Sequence, residues 1–109
     1  MIMRAIGHET ELLTAALAER VMKWKVTPDR FLLGNRSWLP RWRFQPTKKL
    51  EDAFRVLEQA RPEFYSLGIA NFGTFSAKIR IDGKVGEARN ESKPLAITVA
   101  LARALGLVE

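Results

Sequence analysis

Apolar residues recur at helical spacing near the start of the chain. Leu12, Leu13, Ala16, Leu17, Val21 and Trp24 fall on one face and predict a helix over 8–25. Thr10 is its expected N-cap, with Glu11 in the first turn, where the helix dipole favours an acid. The helix must end before Pro28, because the residue preceding a proline avoids the α region. From 26 to 46 no clean period holds, and Pro28, Gly34, Pro40 and Pro46 punctuate the segment. Only Arg41-Trp42-Arg43-Phe44 alternates, which predicts a short extended piece with Trp42 and Phe44 on one face. A second helix is expected over 47–61, with Thr47 as N-cap, Pro46 blocking backward extension, and Leu50, Ala53, Phe54 and Leu57 buried.

The period then changes to two. Tyr65, Leu67 and Ile69 alternate with smaller or polar residues, as do Phe75, Ala77, Ile79 and Ile81 beyond a turn near 71–74. Antiparallel strands over 63–89 follow. A turn pairing Asn71 with Thr74 would set Tyr65 and Leu67 beside Arg80 and Lys78. A loop one residue longer sets Tyr65, Leu67 and Ile69 beside Ile81, Ile79 and Ala77, and the hydrophobic pattern favours it. Asp82-Gly83 is a two-residue hairpin signal leading to a third, short strand. Lys78 is expected opposite Glu87 as a cross-strand ion pair, the simpler reading of a basic spot formed by Lys78 and Arg80. A last helix over 92–105 has Ser92 as N-cap, Pro94 in its first turn, a wide apolar arc and Gly106 as its stop. Helices and strands are segregated along the chain, so the fold class is α+β. It is a single domain with an antiparallel sheet of three or four strands and three helices packed on it.

Charge alters this picture at one place. The 109 residues carry a net charge of +6, with a pI near 10.2. Between Arg20 and Lys49 there are nine cations and one acid, Asp29, so that window alone carries +8 and the remainder −2. Such asymmetry favours an anionic partner, against the plainer alternative of a solvated basic loop. No cysteine is present, which removes thiolate chemistry and disulfides. No stretch has the length of a membrane span or of a signal-peptide core, so no membrane partner is expected and the chain reads as cytoplasmic.

Several segments resemble one known family. Leu17-Ala18-Glu19-Arg20-Val21-Met22-Lys23-Trp24 is similar to the first-helix signature A-E-x-V-M-G-W of the phage ABA sandwich domain proteins, with Lys23 in place of the glycine. Phe44-Gln45-Pro46-Thr47 followed by Leu50, Ala53 and Phe54 resembles their aromatic, proline, serine and helix pattern, Phe54 standing where tryptophan is usual. Pro94 to Ala102 resembles their closing alanine-rich helix. The resemblance runs from about 11 to 106 and implies an α/β/α sandwich and a phage or prophage origin, hence a bacterial host cytoplasm. It implies no catalytic residues, since the family is without established activity. Lys49 departs from it, standing where an acid is common.

Chemistry is constrained mostly by what is missing. The single histidine, His8, falls near the start of the chain, and neither a metal-binding histidine pair nor a Gly-rich phosphate loop exists. Glu51 and Asp52 point about 100° apart on a helix and read as solvated surface. Gly86 reads as a strand-edge glycine. No catalytic or metal-ligating residue, no enzyme activity and no cofactor are therefore expected.

The ligand-binding candidates are Trp38, Arg41, Trp42, Arg43, Lys48 and Lys49. Cations directly after an N-cap oppose the helix dipole, so two lysines there invite a phosphate at the start of the second helix. The tryptophans offer stacking surfaces. The competing reading makes Trp38 and Trp42 core and leaves the lysines in water. The expected function is a small non-enzymatic phage protein that binds an anionic partner, such as a phosphorylated nucleotide signal of host antiviral defence. The alternatives are an inhibitor that docks on an acidic host or defence protein, in the manner of an anti-CRISPR, and a nonspecific nucleic-acid-binding accessory protein. Self-association is compatible with each. A closed pocket containing Arg41, Arg43 or Lys48 would favour the small ligand, and a flat exposed patch the inhibitor.

Overall fold

A computed structural model describes the backbone of residues 2–108 and the side chains of 9–70 and 72–108. The order is α1 (Ile2–Arg20), β1 (Lys25–Val26), β2 (Arg30–Gly34), β3 (Ser37–Pro40), a 3₁₀ turn (Arg41–Arg43), α2 (Leu50–Ala60), β4 (Phe64–Asn71), β5 (Thr74–Ile81), β6 (Lys84–Asn90) and α3 (Lys93–Ala104). The strands form two antiparallel sheets, ordered β1-β2-β3 and β4-β5-β6. The α+β class and the three helices stand as expected. The stretch expected to be irregular is instead a small three-stranded sheet.

The helix α1 begins earlier than its apolar stripe, so Thr10 lies within it and is not its N-cap. The side chain of His8 lies outside the described residues. The helix ends at Arg20, before Lys25. Lys23 adopts a left-handed conformation (φ 63°), and the Trp24 amide donates to the Ala18 carbonyl at 3.0 Å across it. A left-handed residue of this kind at a helix close belongs most comfortably to glycine. The turn swings Trp24 inward. Its ring meets Phe31 of β2 at 5.7 Å and Phe44 at 4.9 Å between centroids, and Phe31 meets Phe44 at 5.5 Å. This aromatic trio joins the end of α1, the small sheet and the approach to α2, and all three residues are buried.

The helix α2 also departs from expectation. Pro46, Thr47 and Lys48 form a turn, the amides of Lys48 and Lys49 both donate to the Gln45 carbonyl (3.0 and 2.8 Å), and the N-cap is Lys49. Thr47 is buried beneath the turn. Asp52, at the third helical position, accepts the Gln45 amide at 2.9 Å. It is therefore an anchor of the turn, not solvated surface. Leu50, expected in the core, is exposed, while Val56 is buried with Ala53 and Leu57.

In the larger sheet the register differs by two residues from the one expected. Tyr65 lies opposite Ile79, Leu67 opposite Ala77 and Ile69 opposite Phe75, while Asn71 pairs with Thr74. A two-residue turn and the matched hydrophobic faces coexist because a register shift between Ile69 and Asn71 absorbs the odd residue. The Asp82-Gly83 turn is as expected, with both residues at positive φ, and Lys78 faces Glu87 at 3.8 Å. The helix α3 packs on β5 and β6, and α2 packs on α3. Ser92 caps α3 by accepting the Leu95 amide at 3.3 Å, and the expected wide arc is buried from Ala96 to Ala102 except for Val99. Gly86 is not a mere edge glycine. A methyl group there would collide with the Ala100 carbonyl oxygen and the Ala104 amide nitrogen, so this glycine sets how closely α3 lies on β6.

Candidate functional site

Three of the six candidate residues meet in one cleft. The small sheet delivers the chain through Pro40 into the 3₁₀ turn, which closes with the Phe44 amide donating to the Arg41 carbonyl at 3.4 Å. This stretch was expected to be extended, with Trp42 and Phe44 together. The turn separates them instead: Phe44 enters the core at 1% exposure and Trp42 stands out at 62%. The cleft beside it has a volume of about 760 Å³, within the range usual for small-molecule sites. One wall is α1 with Thr10, Glu11 and Thr14. The 3₁₀ turn contributes Arg41 and Trp42, the turn before α2 contributes Gln45, Thr47 and Lys48, and the start of α3 contributes Ser92 and Leu95.

Arg41 is the best positioned of these groups. Its Nη1 donates to the Thr27 carbonyl oxygen at 2.9 Å, and its guanidinium lies 5.0 Å from the Phe31 ring centroid. Phe31 is itself held by the aromatic trio, so the cation rests on a packed floor. The bond to Thr27 uses one N–H of the guanidinium fork and leaves the others for a bidentate acceptor. The positive end of the α3 dipole adds to the same side of the cleft. Glu11 is the acid in the lining.

The other three candidates lie elsewhere. Trp38 is half exposed on β3, opposite Leu32, with the Arg30 guanidinium 4.3 Å from its ring centroid. Arg30 also grips Asp29 through Nε and Nη2 at 3.1 and 2.9 Å, and that hydrogen bonding holds the Asp29 carboxyl below its ordinary range. Trp38, Arg30 and Asp29 thus form a self-contained surface cluster. Arg43 points its guanidinium at the Trp42 ring, 5.6 Å from the centroid, and does not line the cleft. Lys49 is the exposed N-cap of α2, outside the cleft. The first turn of α2 carries two acids, Glu51 and Asp52, and Asp52 turns back to accept the Gln45 amide, which disfavours a phosphate at that end. Thr10, Glu11, Thr14, Gln45 and Ser92 also line the cleft, and the sequence pattern singles out none of them for binding. Their neutral or acidic side chains lie outside the basic window or carry no charge, and only tertiary folding brings them beside it.

Comparison with known proteins agrees with the fold. The family model of the phage ABA sandwich domain matches residues 15–101. The chain belongs to that family. A phage protein from Bacillus cereus, known from a 2.0 Å crystal structure, superposes with a TM-score of 0.69 at 15% identity, covering 87% of this chain and 90% of its own. At that identity the likeness speaks to the fold alone. No curated protein matches the sequence. Among the described residues no helix is long and apolar enough to cross a membrane, and no cluster of His, Cys, Asp and Glu is arranged to hold a metal.

Proposed function

We propose that this phage protein is a non-enzymatic binder of a phosphorylated, nucleotide-like small molecule, which it takes into the cleft between α1, the 3₁₀ turn and the start of α3. The observation that carries this reading is the convergence of Arg41, Lys48 and the exposed face of Trp42 on one cavity of ligand size. Arg41 and Lys48 supply charge to phosphate oxygens, Arg41 through its fork and Lys48 as a mobile point charge. Trp42 supplies a plane for a base. Glu11 and the hydroxyls of Thr10, Thr14 and Ser92 suit ribose hydroxyls or base amino groups better than phosphate. Binding without chemistry fits a chain with one histidine and no cysteine. Capture of a nucleotide signal in the host cytoplasm is the biological role we infer from a phage origin combined with such a cleft.

Thermal unfolding against a panel of linear and cyclic nucleotides, ADP-ribose derivatives and short DNA and RNA, at low and high salt, tests the reading. A ligand at 100 times its dissociation constant adds about 2.7 kcal/mol. In a domain of this size that raises Tm by about 10 °C or more. A large shift with one small molecule that survives added salt supports the cleft. Shifts only with DNA or RNA, abolished by salt, would point to charge-driven nucleic-acid binding. No shift with any of them would overturn the proposal and favour the protein-docking alternative.

A further inference from the structure

In the order β4-β5-β6, β4 is an outer strand, so its far edge presents unpaired backbone N–H and C=O groups. Its eight residues, Phe64-Tyr65-Ser66-Leu67-Gly68-Ile69-Ala70-Asn71, include no charge and no proline, the usual guards of such an edge. The side chains beside that edge are apolar and open. Phe64 and Tyr65 are nearly half exposed, Ile69 is 77% exposed, and Phe72 at the hairpin tip is fully exposed. A second, smaller cleft of about 280 Å³ runs along the inner side of β4, lined by Phe54, Leu67, Ile69, Phe75 and Ile97.

We propose that β4 pairs antiparallel with β4 of a second copy of this chain, making one six-stranded sheet across a two-fold axis at Leu67. The strand is its own complement in that register. In an isologous antiparallel pair, facing residues share a sheet face only if the register preserves alternation. Centring on Leu67 does so. Tyr65 then faces Ile69 of the other copy, Leu67 faces its own equivalent, Ser66 faces Gly68 and Phe64 faces Ala70. The inner face gains a run of six apolar side chains, including two aromatic–β-branched pairs, which are favourable across strands. Centring on Ser66 would place Ile69 against Glu63, and centring on Gly68 would place Tyr65 against Asn71. The basic character of the chain does not oppose the seam. Lys78 on β5 is paired with Glu87, the Arg80 guanidinium lies 6.0 Å from the Phe64 ring centroid, and Lys93 at the start of α3, which lines the same cleft as Ile69, holds its Nζ 4.9 Å from the Phe75 ring centroid.

Sedimentation equilibrium of the whole chain from low to high micromolar concentration tests this. The expected result is a species of twice the 12.4 kDa chain mass. Ile69→Lys alters an exposed position, so it should melt cooperatively, with a Tm near that of the parent chain at concentrations where the parent is monomeric, while association is lost. Each dimer carries the change twice, so about tenfold per site becomes about a hundredfold in the dissociation constant. Adding Tyr65→Glu to Ile69→Lys sets opposite charges across the seam and should recover part of the association. A parent chain that stays monomeric overturns the proposal, as does an Ile69→Lys variant that dimerises as tightly. A double variant no better than Ile69→Lys alone contradicts the pairing of position 65 with 69, and with it the proposal.

Discussion

The Arg41 guanidinium rests 5.0 Å from the centroid of the Phe31 ring while one of its nitrogens holds the Thr27 carbonyl at 2.9 Å. A charged group at the rim of a cleft is thereby tied to the aromatic trio at the centre of the small sheet. Two consequences separate. Arg41→Lys keeps the charge but loses the fork, so nucleotide affinity should fall by about tenfold or more with little loss of stability. Arg41→Ala should in addition lower stability by about 1 kcal/mol, through the lost hydrogen bond and ring contact. Titration calorimetry and thermal melts on the two variants distinguish these effects.

The two adjacent lysines should behave differently. Lys48 lines the cleft, so Lys48→Glu should weaken nucleotide binding. Lys49 is an N-cap without a side-chain cap hydrogen bond. Lys49→Asp supplies that cap and an acid at the positive end of α2, and should raise stability by about 1 kcal/mol with binding unchanged. Denaturant melts and ligand titrations on the pair check both halves.

Lys23 holds a left-handed φ at the close of α1, a conformation that favours glycine. Lys23→Gly should relieve that conformation and stabilise the fold by about 0.5–1 kcal/mol, read as a higher urea midpoint with an unchanged slope.

Gly86→Ala should act in the opposite direction and more strongly. The added methyl group meets backbone atoms of α3, which cannot step aside singly. A loss of about 2–3 kcal/mol is expected, comparable to overpacking a tight core, with the melt remaining cooperative.

The parts of the fold that were legible in the sequence are those with a long, single period. The α3 stripe, the Ser92 cap, the Asp82-Gly83 turn and the Lys78–Glu87 pairing all rest on local patterns that tertiary contacts reinforce. The small sheet was not legible because its strands are only two, five and four residues long and expose apolar side chains on their outer face. Leu32 and Trp38 sit outward opposite each other, so the alternation that marks a half-buried strand is blurred. The start of α2 was misplaced because Thr47 looks like a cap, whereas the turn buries it and Asp52 secures the turn from inside the helix. For the cleft, charge clustering pointed to Arg41, Trp42 and Lys48. It could not separate them from Trp38, Arg43 and Lys49, because that separation is made by the 3₁₀ turn and by the Arg30–Asp29 pair beside Trp38.

The three tryptophans allow the central claim to be tested in one experiment. Trp24 is buried, while Trp38 and Trp42 are exposed on different surfaces, so their indole N–H groups should give separate NMR signals, assigned with Trp38→Phe and Trp42→Phe. Titration with the nucleotide panel should displace the Trp42 signal in a saturable manner and leave that of Trp38 in place. A spectrum in which no indole moves, or in which Trp38 moves and Trp42 does not, would contradict a nucleotide site in this cleft.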